Sequence, residues 1–160
     1  MNELIIICAK YLFIVSLIAV VVYWWRLPRA DKKPFLVLLV VGGVLSYALA
    51  KLSGHFIYDA RPFVSEHITP LIPHANDNGF PSDHTLLTSW LAWVVLAFSR
   101  KWGAALLAVA VVVGAARVMA GIHHPLDIAG ALAVTGLATL VAWWSLNKWL
   151  PQDSAWRRQS

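Results

Sequence analysis

The chain has 160 residues, of which 59% are hydrophobic and only 13% charged, about half the charged share of an ordinary soluble domain. Its one cysteine, Cys8, excludes an intramolecular disulfide and a cysteine-based metal cluster. The net charge of +5 is gathered between long apolar runs rather than in an arm, which points to a polytopic membrane protein and away from nucleic acid.

Residues 4–25 form the first apolar run, long enough to cross a bilayer at 1.5 Å per residue. The run exceeds a signal-peptide core, holds Lys10, and is followed by no small-x-small cleavage site, so it is read as a retained helix. A second run covers residues 35–58, with Gly42 and Gly43 as a close-packing point. Residues 59–81 carry Pro62, Pro70, Pro73 and Pro81 among Asn, Asp and His, and read as a long functional loop. A third helix is expected over 82–98, a fourth over 103–121 and a fifth over 125–149, then a polar tail. The expectation is an all-α transmembrane bundle of five helices, six if the loop holds a short re-entrant piece. One domain would cover residues 1–150, with 151–160 as a cytoplasmic tail.

Charge placement sets the orientation. Arg26, Arg29, Lys32 and Lys33 fall between helices one and two, Arg100 and Lys101 between three and four, and Lys148, Arg157 and Arg158 close the chain. In a five-helix arrangement all these lie on one side, which the positive-inside rule makes cytoplasmic. Trp24, Trp25, Trp102, Trp143, Trp144 and Trp149 gather near the same ends. The amino terminus, the 59–81 loop and the turn at 121–125 then face outward, in a bacterial inner membrane toward the periplasm or exterior.

Four strongly basic residues remain: Lys10, Lys51, Arg61 and Arg117. Lys51, Arg61 and Arg117 sit at or near the outward side, together with Ser82, Asp83, His84, His123, His124 and Asp127. Two guanidinium groups suit the oxygens of a phosphate, and imidazoles exchange protons near neutrality. Asp127 follows His123 by four residues, the spacing at which side chains meet on one helix face, and could orient that imidazole. Pro81 and Pro125 mark helix starts, Ser82 is placed to cap the first of them, and free N–H groups there favour an anion.

Each residue also has an ordinary reading. His67 and His74 are read as solvated loop residues, and His124 as pointing away from the chemistry. Arg61, Arg117 and Lys51 could be anchors that snorkel, and Lys10 is read that way. Gly130 and Gly136 read as helix contacts, and Trp90 and Trp93 as lipid-facing packing, with a groove for a lipid tail as the alternative. A zinc hydrolase could use His84, His123, His124 and Asp127, but two arginines beside them would repel the ion. A transporter would spread its charges through the membrane depth, whereas these gather at one face.

The residues resemble the phosphatidic acid phosphatase type 2 superfamily. Three blocks carry the resemblance over residues 54–127: Arg61-Pro62, then Pro81-Ser82-Asp83-His84, then Arg117, five residues, His123, three residues, Asp127. The resemblance implies a membrane lipid phosphatase without cofactor or metal, in which His123 attacks phosphorus and forms a phosphohistidine. Asp127 would hold His123 in its productive tautomer, and His84 would protonate the leaving oxygen and later activate water. Arg61, Arg117 and Ser82, with backbone amides near Asp83, would bind the phosphate oxygens.

Two departures stand out. Gly54 occupies the family's lysine position, with His55 favoured over Lys51 as its replacement, and Asp83 stands where glycine is usual. The strings GHFIYDARPF and FPSDH resemble the undecaprenyl-diphosphatase branch, so undecaprenyl diphosphate is the favoured substrate. Phosphatidic acid and phosphatidylglycerol phosphate are the alternatives, and transfer of the phosphoryl group to a second lipid shares the same intermediate. The oligomeric state is not readable from the chain.

Overall fold

The computed structural model describes residues 1–147, all-helical apart from loops and one isolated bridge. Lys148, Trp149, Arg157, Arg158 and the expected tail lie outside the described residues. The elements in order are α1 (Asn2–Arg26), α2 (Arg29–Phe56), α3 (Pro62–Ser65), α4 (Asp83–Leu96), α5 (Arg100–Met119) and α6 (Pro125–Leu146). The chain is a multi-pass membrane protein. Helices α1, α2, α5 and α6 are long and apolar enough to cross a bilayer. At 14 residues α4 reaches only about 21 Å, and it is the helix most enclosed by the others, with Leu91, Ala92, Val94 and Val95 buried.

The expected elements are present with shifted ends. Helix α2 begins at Arg29, six residues ahead of its apolar run, so Lys32 and Lys33 are helical and Pro34 lies inside the helix. Hydropathy marks the part of a helix that meets lipid, while the backbone hydrogen bonding continues into the interface. The sixth helix, α3, is a single turn following Arg61, with Pro62 at its start, where a missing N–H costs nothing.

Helix α6 packs against both α2 and α4, while α5 packs on α4 and α1. Toward the basic end, Phe35, Leu38, Val94, Val95, Phe98 and Leu106 form the main core. Toward the other end, Ile72 from the loop packs with Ala9, Ala116, Ala120 and Ile122. Polar contacts join the helices within this frame. The hydroxyls of Ser89 on α4 and Thr135 on α6 lie 2.8 Å apart, both buried, and Trp93 donates its indole N–H to the Leu132 carbonyl at 3.2 Å. Gly130 and Gly136 do face close neighbours, the rings of Phe80 and Trp93.

The two ends of the long loop are joined through one side chain. Asn78 accepts from the backbone N–H groups of Asp59 and Phe80, each at 3.0 Å, and donates to the carbonyls of Gly54 and Ile57 at 2.8 and 2.9 Å. That uses the whole hydrogen-bonding capacity of an amide side chain. The return strand of the loop is thereby held against the end of α2, and the Leu71 N–H bonds to the Ala120 carbonyl at 2.9 Å, holding its middle to the end of α5.

Candidate active site

The site forms where the loop, the end of α5 and the starts of α4 and α6 meet. His123 lies in the turn before α6 and His124 is the residue that caps it. Asp127, in the first turn, reaches back: its Oδ2 accepts from the His124 backbone N–H at 2.9 Å and sits 3.0 Å from His123 Nδ1. The sequence spacing suggested two side chains on one helix face. Instead His123 precedes the helix, and the contact arises because a carboxylate in the first turn caps the free N–H groups behind it.

Bonding of Nδ1 to a carboxylate places the imidazole proton there and leaves the Nε2 lone pair free. That atom faces both guanidinium groups, with Arg61 Nη1 at 3.2 Å and Arg117 Nη2 at 3.4 Å. Arg61 also donates to the Ile122 carbonyl at 2.9 Å and, through Nε, to Asp77 at 2.7 Å. Arg117 donates to the Ala9 carbonyl of α1 at 3.2 Å. Both arginines are only 4% exposed, which removes the snorkelling reading for them. Two buried like charges around one imidazole make a strongly anion-seeking pocket. The Nε–H of Arg117 has no acceptor among the described residues.

Burial lowers the pKa of His123 from the ordinary imidazole value; the Asp127 hydrogen bond opposes this and the two guanidinium charges reinforce it. The imidazole is therefore neutral near pH 7. His74 is lowered as well, by burial and then by Arg61 and Arg117.

His84, at the start of α4, is half-buried with its ring edge-on to Phe13, centroids 5.2 Å apart. It lies close enough to Arg117, His123 and His74 for their charges to interact. Ser82 is buried at the N-cap position, but its hydroxyl does not cap the helix; it accepts from Thr85 at 3.2 Å. Asp83 is exposed in the first turn, and Pro81 falls just before the cap rather than inside the helix. His55 is exposed on the last turn of α2, beside a cleft that Lys51, Gly54 and Arg61 also line. At Gly54 a Cβ would lie 3.0 Å from the Phe80 carbonyl oxygen, so the loop closes over the position where the family carries lysine.

Several residues passed over by the sequence reading belong to the site. His74 places Nε2 3.3 Å from Arg117 Nη2 and is not a solvated loop residue. His124 bridges two carboxylates, with Nδ1 3.1 Å from Asp59 and Nε2 3.3 Å from Glu66. Burial and the Asp127 charge raise the Asp59 pKa, while the Asp77 pKa is lowered, since the bond and charge of Arg61 outweigh the effect of burial. A polar loop marks such residues only as a group. Their individual partners depend on how the loop folds back, and no local periodicity encodes that.

Asp59, His124 and Asp127 each offer a ligand atom within 4.8 Å of the others, a spacing a metal could use. Asp127 Oδ2 is engaged with His123 and the His124 backbone N–H, and the His124 ring with Asp59 and Glu66, while Asp127 Oδ1 has no hydrogen-bond partner among the described residues.

Comparison with known proteins bears on the family and the fold. The description of the PAP2 superfamily matches residues 35–151. The chain is 32% identical over 150 residues to the bacitracin transport permease protein BcrC of Bacillus licheniformis, covering 92% of this chain and 73% of that one. It is 30% identical over 110 residues to the undecaprenyl-diphosphatase BcrC of Bacillus subtilis, covering 69% and 57%. The crystal structure of a transmembrane PAP2-type phosphatidylglycerolphosphate phosphatase from Bacillus subtilis superposes with a TM-score of 0.62 at 21% identity, over 96% of this chain and 79% of that one. The last likeness speaks to the fold.

Proposed function

The chain belongs to the PAP2 superfamily, and from that premise we propose that it is a metal-independent membrane lipid phosphatase with His123 as nucleophile and undecaprenyl diphosphate as favoured substrate. The observation that carries the reading is the His123 Nε2 atom, held between two buried guanidinium groups while Nδ1 is bound by Asp127. A phosphate between those arginines presents its phosphorus to that lone pair. It would also give Arg117 Nε–H the acceptor it lacks.

In the first step Nε2 bonds to phosphorus and the bond to the leaving oxygen breaks, with His84 supplying a proton to that oxygen. Arg61, Arg117, Ser82 and the amides opening α4 near Asp83 hold the equatorial oxygens as their charge rises. In the second step His84 takes a proton from water, which attacks the phosphohistidine and frees inorganic phosphate. His55 takes the part of the missing family lysine. Residues 1–150 make up the catalytic domain, in a bacterial inner membrane with the site toward the periplasm or exterior. The undecaprenyl-diphosphatase relative supports the substrate choice.

The test is phosphate release from purified undecaprenyl diphosphate, phosphatidic acid and phosphatidylglycerol phosphate, by wild type and His123→Ala, with and without EDTA. We expect undecaprenyl diphosphate to be turned over best, EDTA to have no effect, and His123→Ala to be inactive yet folded by circular dichroism. Near-normal release by that variant would refute the nucleophile. The transport name borne by one relative supplies a second reading, and flux across liposomes without phosphate release would favour it.

A further inference from the structure

Beyond the reacting histidine, a polar cleft of about 400 Å³ opens between the loop ends of α2 and α4. Arg61 is a wall common to both places, since it lines the cleft while Nη1 stands 3.2 Å from His123 Nε2. Lys51 and His55 face the same cleft from α2. A second, almost wholly apolar groove of about 410 Å³ continues along the same two helices, lined by Leu39, Gly43, Tyr47 and Trp90 among others. Tyr47 lines both, so the two spaces adjoin at its side chain.

The sequence accounts for this track. Leu39, Gly43, Tyr47, Lys51 and His55 recur every fourth residue, a winding face that climbs about 24 Å along α2 and turns about 160° around it. That face passes from apolar in the bilayer to cationic at the boundary. Asp83, Leu86 and Trp90 form the opposite wall on α4. The groove exists because α2 and α4 both pack on α6 and touch each other less closely. Gly43 lets the Trp90 indole form its floor, since a Cβ there would fall within the ring's own space.

Resting on the phosphatase reading above, we propose that this track binds a lipid diphosphate, with Lys51 taking the phosphate that leaves and the α2/α4 groove taking its hydrocarbon chain. When His123 Nε2 bonds to the terminal phosphorus, the bond from that phosphorus to the bridging oxygen breaks. The electron pair goes to the bridging oxygen, which takes its proton from His84, and Lys51 pairs with the remaining charge of the departing lipid monophosphate. Two carboxylates share the cleft: Asp77 is held by Arg61 at 2.7 Å, and Asp83 lines the α4 side. The cations therefore select a group seated between Lys51 and Arg61, where an adjoining phosphate of the same substrate falls. A monophosphate ester has nothing to place there. The subsite thus distinguishes diphosphates from monophosphates on the same tail.

The experiment compares kcat/KM for farnesyl diphosphate and farnesyl monophosphate in detergent micelles, for wild type, Lys51→Met and Lys51→Arg. We expect wild type to prefer the diphosphate, and Lys51→Met to reduce that preference roughly tenfold to a hundredfold, the loss of one charge-assisted hydrogen bond. Lys51→Arg should keep most of it. A preference unchanged in Lys51→Met, or absent in wild type that hydrolyses both lipids, overturns the subsite and leaves the phosphatase reading intact. Release from neither lipid by wild type sinks the phosphatase reading itself. For the groove, Val44→Trp should raise KM for undecaprenyl diphosphate about tenfold and that for isopentenyl diphosphate less than about twofold. Equal effects on the two chain lengths, or none, would show that this face meets only bulk lipid.

Discussion

Two protonation states decide what His123 can do. As a nucleophile it must be neutral, and burial with two adjacent guanidinium groups lowers its pKa. The neutral form then persists below the ordinary imidazole pKa of about 6.5, so the acid limb of kcat/KM should lie below that pH. Asp127 acts in the opposite sense on the pKa and also fixes the tautomer. In Asp127→Asn the acid limb should move further toward acid, while kcat falls on the order of a thousandfold because the reactive nitrogen is no longer reliably the unprotonated one. A pH–rate series on both proteins checks both effects. Asp59, through His124, supports the same carboxylate from behind. Asp59→Ala should lower kcat about tenfold, as losing an orienting partner does, and leave KM nearly unchanged in steady-state assays.

Among the elements, α4 and α6 carry opposite sides of the site and are joined by the buried Ser89–Thr135 pair. Ser89→Ala and Thr135→Val should each destabilise the protein, with a coupling of about 0.6–1.7 kcal/mol in a double-mutant cycle read from unfolding in mixed micelles. Both hydroxyls also bond within their own helices, to the carbonyls of Thr85 and Ala131 at 2.6 and 2.8 Å, so neither is left unpaired by the other's removal. The helices themselves were readable from the chain, because a bilayer demands about 20 apolar residues per crossing. Their ends were not, as the early start of α2 at Arg29 shows. Within the site, Arg61, Arg117, His123 and Asp127 stood out because charge at a membrane boundary is rare and their spacing is patterned. His74, Asp59 and Asn78 did not, since polar residues are ordinary in a loop and their roles come only from how it closes.

Across the whole molecule, chemistry and insertion signals occupy opposite ends. Arg26, Arg29, Lys32, Lys33, Arg100 and Lys101 sit at the end of the bundle away from His123. Replacing the first four with glutamine should leave kcat of correctly inserted protein unchanged while reducing the yield of that form. Single cysteines at Ala30 and His67, labelled from outside intact cells in a Cys8→Ser background, would report it: only the second should react. Reaction at the first alone would invert the proposed orientation.

The bond from Arg117 to the Ala9 carbonyl also bears on time. During synthesis α1 leaves the ribosome before α5, and the arginine that grips it follows more than a hundred residues later. The pocket can therefore close only once α5 has been made and has found α1. A nascent chain halted before α5 would hold no competent centre, however well its first helices had entered the bilayer. Hydrolysis is thereby withheld until α5 and the start of α6 are in place.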